Sequence, residues 1–483
     1  MSTAETKKSL KEQTGFRFAM IALDIAIMLF FLFSAPPEGL EQAGWRMLGI
    51  LIVAMVMFIS EAIPLPATCF LIIVLMKYTG VAAWKEIQQT AMSSTVFFCM
   101  AGFGIGAALK NTNLAAILMR TLYNLGKGDS KKMISAVLWL AAIISIFISD
   151  GAAQVVTLAV VTNVVLALGN PEPGTSRLAG GMMMAVCVGA LTGGLFLPCS
   201  NSVNVAIMEL SETVAGKPMT FFQWALFGVP CGFLMTLAAS YLVPNYFKPE
   251  SMTEDQKTSI QKLFETIPEK LQPKDWYYIV VTIVMVVCWF ASNWVKKIDV
   301  ATVAMAGMIM FMLPIPGLRL LTAKEYKQNF SHMIVVTQVC IFPMAAAMKN
   351  SGAGEWIVNK MFADSSSWGS FIIIIMATLA AFIIHILVPQ GSSNGALSAT
   401  ILGPVLVAAG LPVAAAFAII GVQAGTGFLF PIEGTWQYTF GTGHYKFDDC
   451  LKGNWKLTVF GILLCVILIP VLSGVFSAMG LIS

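Results

Sequence analysis

Two acids stand in otherwise apolar surroundings: Asp150 in SDGAAQ (149–154) and Glu433 in TGFLFPIEGTWQ (426–437). A carboxylate at bilayer depth costs about 2.5–3.5 kcal/mol or more, so such residues are candidate cation ligands or proton carriers by default. The same stretches, with TGGLFLPCSNSVN (192–204) and PQGSSNG (389–395), are rich in Gly, Ser, Asn and Thr and contain no Lys or Arg. Neutral hydroxyls and amides can hold a charged ligand without a permanent countercharge and then release it. Helices interrupted at such places offer an anion the free N–H groups of a helix N-terminus. They offer a small cation the carbonyls of the facing C-terminus. Each residue also has a structural role open to it. Asp150 can cap the helix that follows, Glu433 can bind exposed N–H groups, and His385 and Asp24 can serve packing. Trp45, Trp276 and Trp436 read as interfacial anchors, with Trp436 near enough to the break to line a pocket.

These residues need a membrane to position them. Of 483 residues 57% are hydrophobic and 11% charged, with mean hydropathy +0.80. A water-soluble chain of this size could not hide that much apolar surface. The net charge of +4 and scattered lysines give no nucleic-acid stripe, and no cleavable signal follows the polar start. The nine cysteines fall in apolar segments without a CxxC pair and read as packing residues. No HExxH, GxSxG or nucleotide-binding loop points to an enzyme. Apolar runs at 18–33, 44–60, 63–80, 93–109, 221–243, 276–294, 299–315, 333–349 and 456–478 each suffice for a transmembrane helix. Four others are interrupted. Those at 131–168 and 368–408 carry a polar tip and read as re-entrant hairpins. Those at 178–209 and 413–440 read as spanning helices unwound midway. Non-helical backbone at that depth requires protein or a watery cavity to satisfy it, which predicts one internal site.

The chain also repeats itself. GAALKNTN (106–113) returns as AAAMKNSG (345–352), TGGLFLP (192–198) as GTGFLFP (425–431), and TFFQWALFG (220–228) aligns with YKFDDCLKG (445–453). The hairpins keep the same order. A leading helix plus five spans per copy turns the second copy upside down, the design of secondary transporters. The fold expected is an all-α polytopic membrane protein of two inverted-topology repeats, with about 11 transmembrane helices, two re-entrant hairpins and two broken helices. Placing the N-terminus inside and the C-terminus outside puts most of the 29 Lys and Arg on the inner side.

Three stretches carry a family resemblance. SEAIPLPATCFLIIVL (60–75), GGLFLPCSNSVN (193–204) and FGTGHYKFDDCLKG (440–453) resemble, in order along nearly the whole chain, motifs of the divalent-anion/sodium symporter (dicarboxylate, citrate and sulfate carrier) family. The resemblance implies a homodimer of elevator carriers, in which hairpins and broken helices slide against fixed scaffold spans. It also implies that each hairpin tip binds substrate carboxylate and builds a Na⁺ site with the neighbouring break. The substrate set is then Ser149, Asp150, Gly151, Ser200, Asn201, Ser202, Ser392, Ser393, Asn394, Gly395, Thr435 and Trp436. The cation set is Ser149, Asp150, Gly194, Asn204, Asn394, Gly395, Glu433 and Gln437. The tips depart from the family's Ser-Asn-Thr, reading Ser149-Asp150-Gly151 and Ser393-Asn394-Gly395, and Gly434-Thr435-Trp436-Gln437 replaces Thr-Pro-Pro-Asn.

The expected organisation is a cytoplasmic segment 1–17, scaffold spans 18–130, and transport elements 131–243 made of hairpin 131–168, broken helix 178–209 and span 221–243. A cytoplasmic loop 244–275 precedes scaffold spans 276–367 and transport elements 368–483, made of hairpin 368–408, broken helix 413–440 and span 456–478. The function expected is cation-coupled uptake of a small organic anion such as a di- or tricarboxylate across the inner (plasma) membrane. No cofactor beyond Na⁺ or H⁺ as coupling ion is expected, and no nucleic-acid partner. Two alternatives stay open: an exchanger or proton-coupled carrier of a monocarboxylate, sulfonate or amino-acid-like substrate, and an anion channel.

Overall fold

A computed structural model describes residues 14–60, 62–126, 128–295, 297–362, 369–388, 391–431 and 435–482, all helix and connecting turns. A lone helix α1 (Thr14–Phe33) leads into the first repeat. That repeat runs α2 (Gln42–Ser60), α3 (Leu65–Tyr78), α4 (Trp84–Ala91), α5 (Ser94–Leu109) and α6 (Leu114–Gly126). The hairpin arms α7 (Ser130–Phe147) and α8 (Asp150–Ala167) follow, then α9 (Arg177–Gly193), α10 (Ser202–Ala215) and α11 (Phe221–Phe247). After a connector helix α12 (Glu254–Glu265), the order recurs. It runs α13 (Pro273–Ala291), α14 (Val300–Met312), α15 (Ala323–Asn329), α16 (His332–Asn350), α17 (Ala353–Phe362), hairpin arms α18 (Ser370–Leu387) and α19 (Gly391–Ala408), α20 (Val413–Ala424), α21 (Gln437–Phe440), α22 (Phe447–Leu463) and α23 (Ile469–Ala478). Eight helical stretches among the described residues are long and apolar enough to cross a bilayer, with shorter apolar helices beside them.

Burial explains the order. Every residue of α20, and of α9 from Leu178 onward, is buried. Helices apolar all round belong at the centre of a bundle. By contrast α13 leaves Val280, Ile283, Val284 and Val287 exposed on one side, a face suited to lipid. The first hairpin packs against α9 at backbone contact: a Cβ on Gly189 would lie 2.3 Å from Leu138 O, and one on Gly193 2.3 Å from Ala142 O. Small residues let helices approach this closely in membranes.

Several elements differ from the sequence expectation. The short helices α4, α6, α15 and α17 were not foreseen, because 7–13 residues give too little periodicity and too little apolar length to read as spans. The loop 244–275 is not a free connector. Its helix α12 packs on α8, Gln256 Nε2 donates to Leu168 O at 2.9 Å, and Arg120 donates to the Ile267 and Pro268 carbonyls at 2.9 and 3.0 Å. The last helical stretch, α22 continuing into α23, begins at Phe447, nine residues before the apolar run at 456. Asp449 secures this start by accepting from Lys446 N at 2.7 Å.

Candidate functional site

The first hairpin turn is tighter than its polar stretch suggested. Only Ile148 and Ser149 separate the arms, and residues 150–154 already form the opening turn of α8. Ser149 caps that helix by accepting from Ala152 N at 3.4 Å. The capping role considered for Asp150 therefore falls to Ser149. Asp150 is the first residue of α8, where the N-terminal end of the helix dipole favours a negative charge. Its Oδ1 accepts from Gly151 N at 2.8 Å and its Oδ2 from Asn201 Nδ2 at 3.1 Å. Asn201 Oδ1 in turn caps α10 through Val203 N at 2.9 Å. One amide thus ties the first tip to the first break.

That break spans 194–201, with a single 3₁₀ turn at Pro198–Ser200. Its exposed backbone is satisfied from the side. Asn204 Nδ2 donates to Gly194 O at 2.7 Å and to Leu197 O at 3.0 Å, and Trp224 Nε1 to Leu195 O at 3.2 Å. Asn204 Oδ1 remains buried without a partner. Because α9 and α10 together make one crossing, the break lies near mid-depth. Cys199 and Ser200 both donate to Ile146 O, at 3.5 and 2.8 Å, so the hairpin tip lies there too. Ser200 is fully buried and committed to Ile146 O and Leu197 N, which makes it a brace and not a wall of the site.

The second break follows the same logic. Trp436 Nε1 donates to Gly427 O at 2.8 Å and Asn454 Nδ2 to Phe428 O at 3.2 Å. Trp436 is fully buried edge-on to Tyr445, with ring centroids 6.3 Å apart, and is not among the residues facing the cavity. It corrects two expectations at once: Trp436 is neither an interfacial anchor nor a pocket wall, because its indole closes the break from within. Trp436→Ala should cost about 3–5 kcal/mol as a buried large-to-small change. It should lower the unfolding temperature well beyond Trp436→Phe, which loses the hydrogen bond and part of the ring but keeps most of the buried volume. Equal melting of the two variants would contradict this role.

Between these elements lies a cavity of about 770 Å³. The first hairpin gives it Ser149, Asp150 and Gly151, and the first break Asn201 and Ser202. The second hairpin gives Gly391, the second break Gly425 and Thr435, and the helix after it, α21, Tyr438. The far wall is α5 with the junction of α15 and α16 at 328–334. A Cβ on Gly151 would meet nothing within 4 Å, so backbone is open to a ligand there. Ser393, Asn394 and Gly395 are not part of this wall. They are buried, and a Cβ on Gly395 would lie 2.9 Å from Val203 Cγ1, so the second tip seats on α10. Asn394 Nδ2 has no partner there. Gly194 opens the break but is not among the residues facing the cavity, and its carbonyl accepts from Asn204. Glu433 and the side chains of Ser392 and Gln437 lie outside the described residues.

Other polar residues of the transport elements were not singled out in the sequence. Gln154 and Thr157, one and two turns below Asp150 on α8, are fully buried with unpartnered side-chain atoms. Glu209 on α10 accepts from Thr95 N at 3.1 Å and from Thr95 Oγ1, joining the broken helix to the start of α5. His385 Nδ1 lies 3.1 Å from Gln423 O, a packing bond between the second hairpin and α20. The available signal was a polar residue in an apolar helix, which also marks many structural bonds.

The profile of the family described as "Sodium:sulfate symporter transmembrane region" matches residues 16–476. The inorganic phosphate transporter PHO87 of Saccharomyces cerevisiae is 27% identical over 68% of this chain, which spans 35% of that longer protein. The sodium-dependent dicarboxylate transporter SdcS of Staphylococcus saprophyticus is 20% identical over 83% of this chain and 79% of its own. Among solved structures, MtrF of Neisseria gonorrhoeae, from a class of antimetabolite efflux pumps, shares the fold. Its TM-score is 0.59 at 15% identity, covering 97% of this chain and 96% of that one.

Proposed function

We propose that this chain, which belongs to the sodium:sulfate symporter family, is a secondary active carrier that couples movement of a small organic anion to a cation gradient. The observation that carries the reading is the convergence of both hairpins and both broken helices on one mid-depth cavity holding a carboxylate. Helix N-termini at α8 and α10 aim N–H groups at an anion, and Asp150 supplies the negative charge a cation needs. The proposed cation is Na⁺ and the proposed substrate a di- or tricarboxylate, in keeping with the name of the staphylococcal relative. The proposed motion is an elevator, with hairpins, broken helices, α11 and α22–α23 moving against the rest. The proposed assembly is a homodimer, with the N-terminus cytoplasmic and the C-terminus outside, as the charge bias favours.

A second reading has its own observation. Asp150 stands at a tip position where the resembling family carries asparagine, so H⁺ coupling or exchange of a monoanion fits the same scaffold. Purified protein in liposomes should take up labelled succinate, citrate or sulfate only under an imposed Na⁺ or H⁺ gradient, and the uptake should saturate. Linear, gradient-independent flux would overturn the carrier reading in favour of a channel. A melting screen of mono-, di- and tricarboxylates with and without Na⁺ identifies the cargo, because ligand bound to the native state raises the melting temperature.

A further inference from the structure

Lys110 is the one Lys or Arg among the described residues that face the cavity, and Asp150 the one acid. It follows α5 directly, and its ammonium donates to the neutral amide oxygen of Asn329. Among the described residues no carboxylate ion-pairs with it. Asn329 stays oriented by donating Nδ2 to Glu325 O at 2.7 Å. A cation held this way keeps its field for an incoming anion, and a low-dielectric cleft focuses that field. Lys110 also sits in the repeated motif: GAALKNTN places it where AAAMKNSG places Lys349, in the last turn of α16. Lys349 is exposed and does not face this cavity; its Nζ lies 4.0 Å from where a Cβ on Gly216, at the C-terminal end of α10, would stand.

We propose that Lys110 is the anion-recruiting residue at the mouth of this cavity, and that Lys349 does the same at the opposite mouth when the cavity opens there. The Lys349 half rests on the carrier reading. The inverted repeat supplies its physical reason, because equivalent residues of the two copies exchange sides of the membrane.

A favourable charge at a helix C-terminus would also explain a lysine at either place, so the test reads the cavity's field and not stability. Tyr438→Cys, at a half-exposed cavity residue, is labelled with sulfonate-bearing and trimethylammonium-bearing methanethiosulfonates, and the labelling of the unsubstituted protein, whose Cys99 and Cys199 also line the cavity, is subtracted. K110Q should lower the sulfonate-to-ammonium rate ratio by roughly threefold to tenfold, K110R should preserve it, and K349Q should leave it unchanged. An unchanged ratio in K110Q overturns the role of Lys110. In sided liposomes, K110Q should raise KM for succinate from one face and K349Q from the other. Effects on the same face overturn the pairing. An absence of saturable flux in the unsubstituted protein overturns the carrier reading and the Lys349 half with it, while the labelling ratio judges Lys110 by itself.

Discussion

Asp150→Asn is expected to raise the half-saturating cation concentration at least tenfold, about 1.4 kcal/mol of binding free energy, while leaving expression and melting temperature nearly unchanged. The reason lies in how the carboxylate is held. Its oxygens accept from Gly151 N and Asn201 Nδ2, two bonds that fix the tip against the break. Asparagine keeps the size and one acceptor, so the tip stays in place while the charge is lost. Among the described cavity residues, that charge is the strongest attraction available to a small cation. The measurement is initial uptake against Na⁺ at several fixed pH values. A shift in Na⁺ dependence with an unchanged pH profile makes Asp150 a sodium ligand. A flattened pH profile makes it a proton carrier. If neither changes, Asp150 only pins Asn201, and the site residues must be sought elsewhere.

Gly193→Val should have the largest effect on stability. Even the first added carbon would sit 2.3 Å from Ala142 O and 2.7 Å from its Cα, backbone atoms that cannot turn aside. Overpacking a tight core costs about 1–3 kcal/mol per inserted group. The branched side chain must separate α7 from α9, the contact that carries the hairpin tip to the break. We expect little monodisperse protein after extraction. Gly193→Ala should give a lowered melting temperature despite the gain of up to about 1 kcal/mol in helix propensity. Gly474→Ala, in α23 where an added Cβ meets nothing within 4 Å, supplies the control and should be neutral or stabilising. A normal melt for Gly193→Ala would show that the first hairpin is not held at backbone contact.

Both predictions draw on features of unequal legibility in the sequence. The glycines of the first break and the polar tips were readable, because non-helical residues inside long apolar runs can be tolerated only around an internal cavity. The repeat was readable from four ordered matches. The role of Trp436 was not, because a tryptophan near the end of an apolar run has the same composition whether it faces the headgroups or closes a break. The same holds for Ser200, which shares its polar stretch with Asn201 and Ser202. In the structure Ser200 faces Ile146 O and the other two face the cavity.

By itself the sequence determined that this is a membrane protein of two inverted copies, and roughly where each copy is interrupted. Those properties follow from hydropathy and chain order, which need no partner in space. Only the tertiary structure decided which polar groups remain open to a ligand. Gly194 and Ser200 already hold protein partners, Gly395 near the second tip is seated on α10, and Lys110 faces the cavity with no ion-paired carboxylate among the described residues. Whether a polar group binds a ligand depends on what else fills its valence, and those partners come from helices far away in the chain.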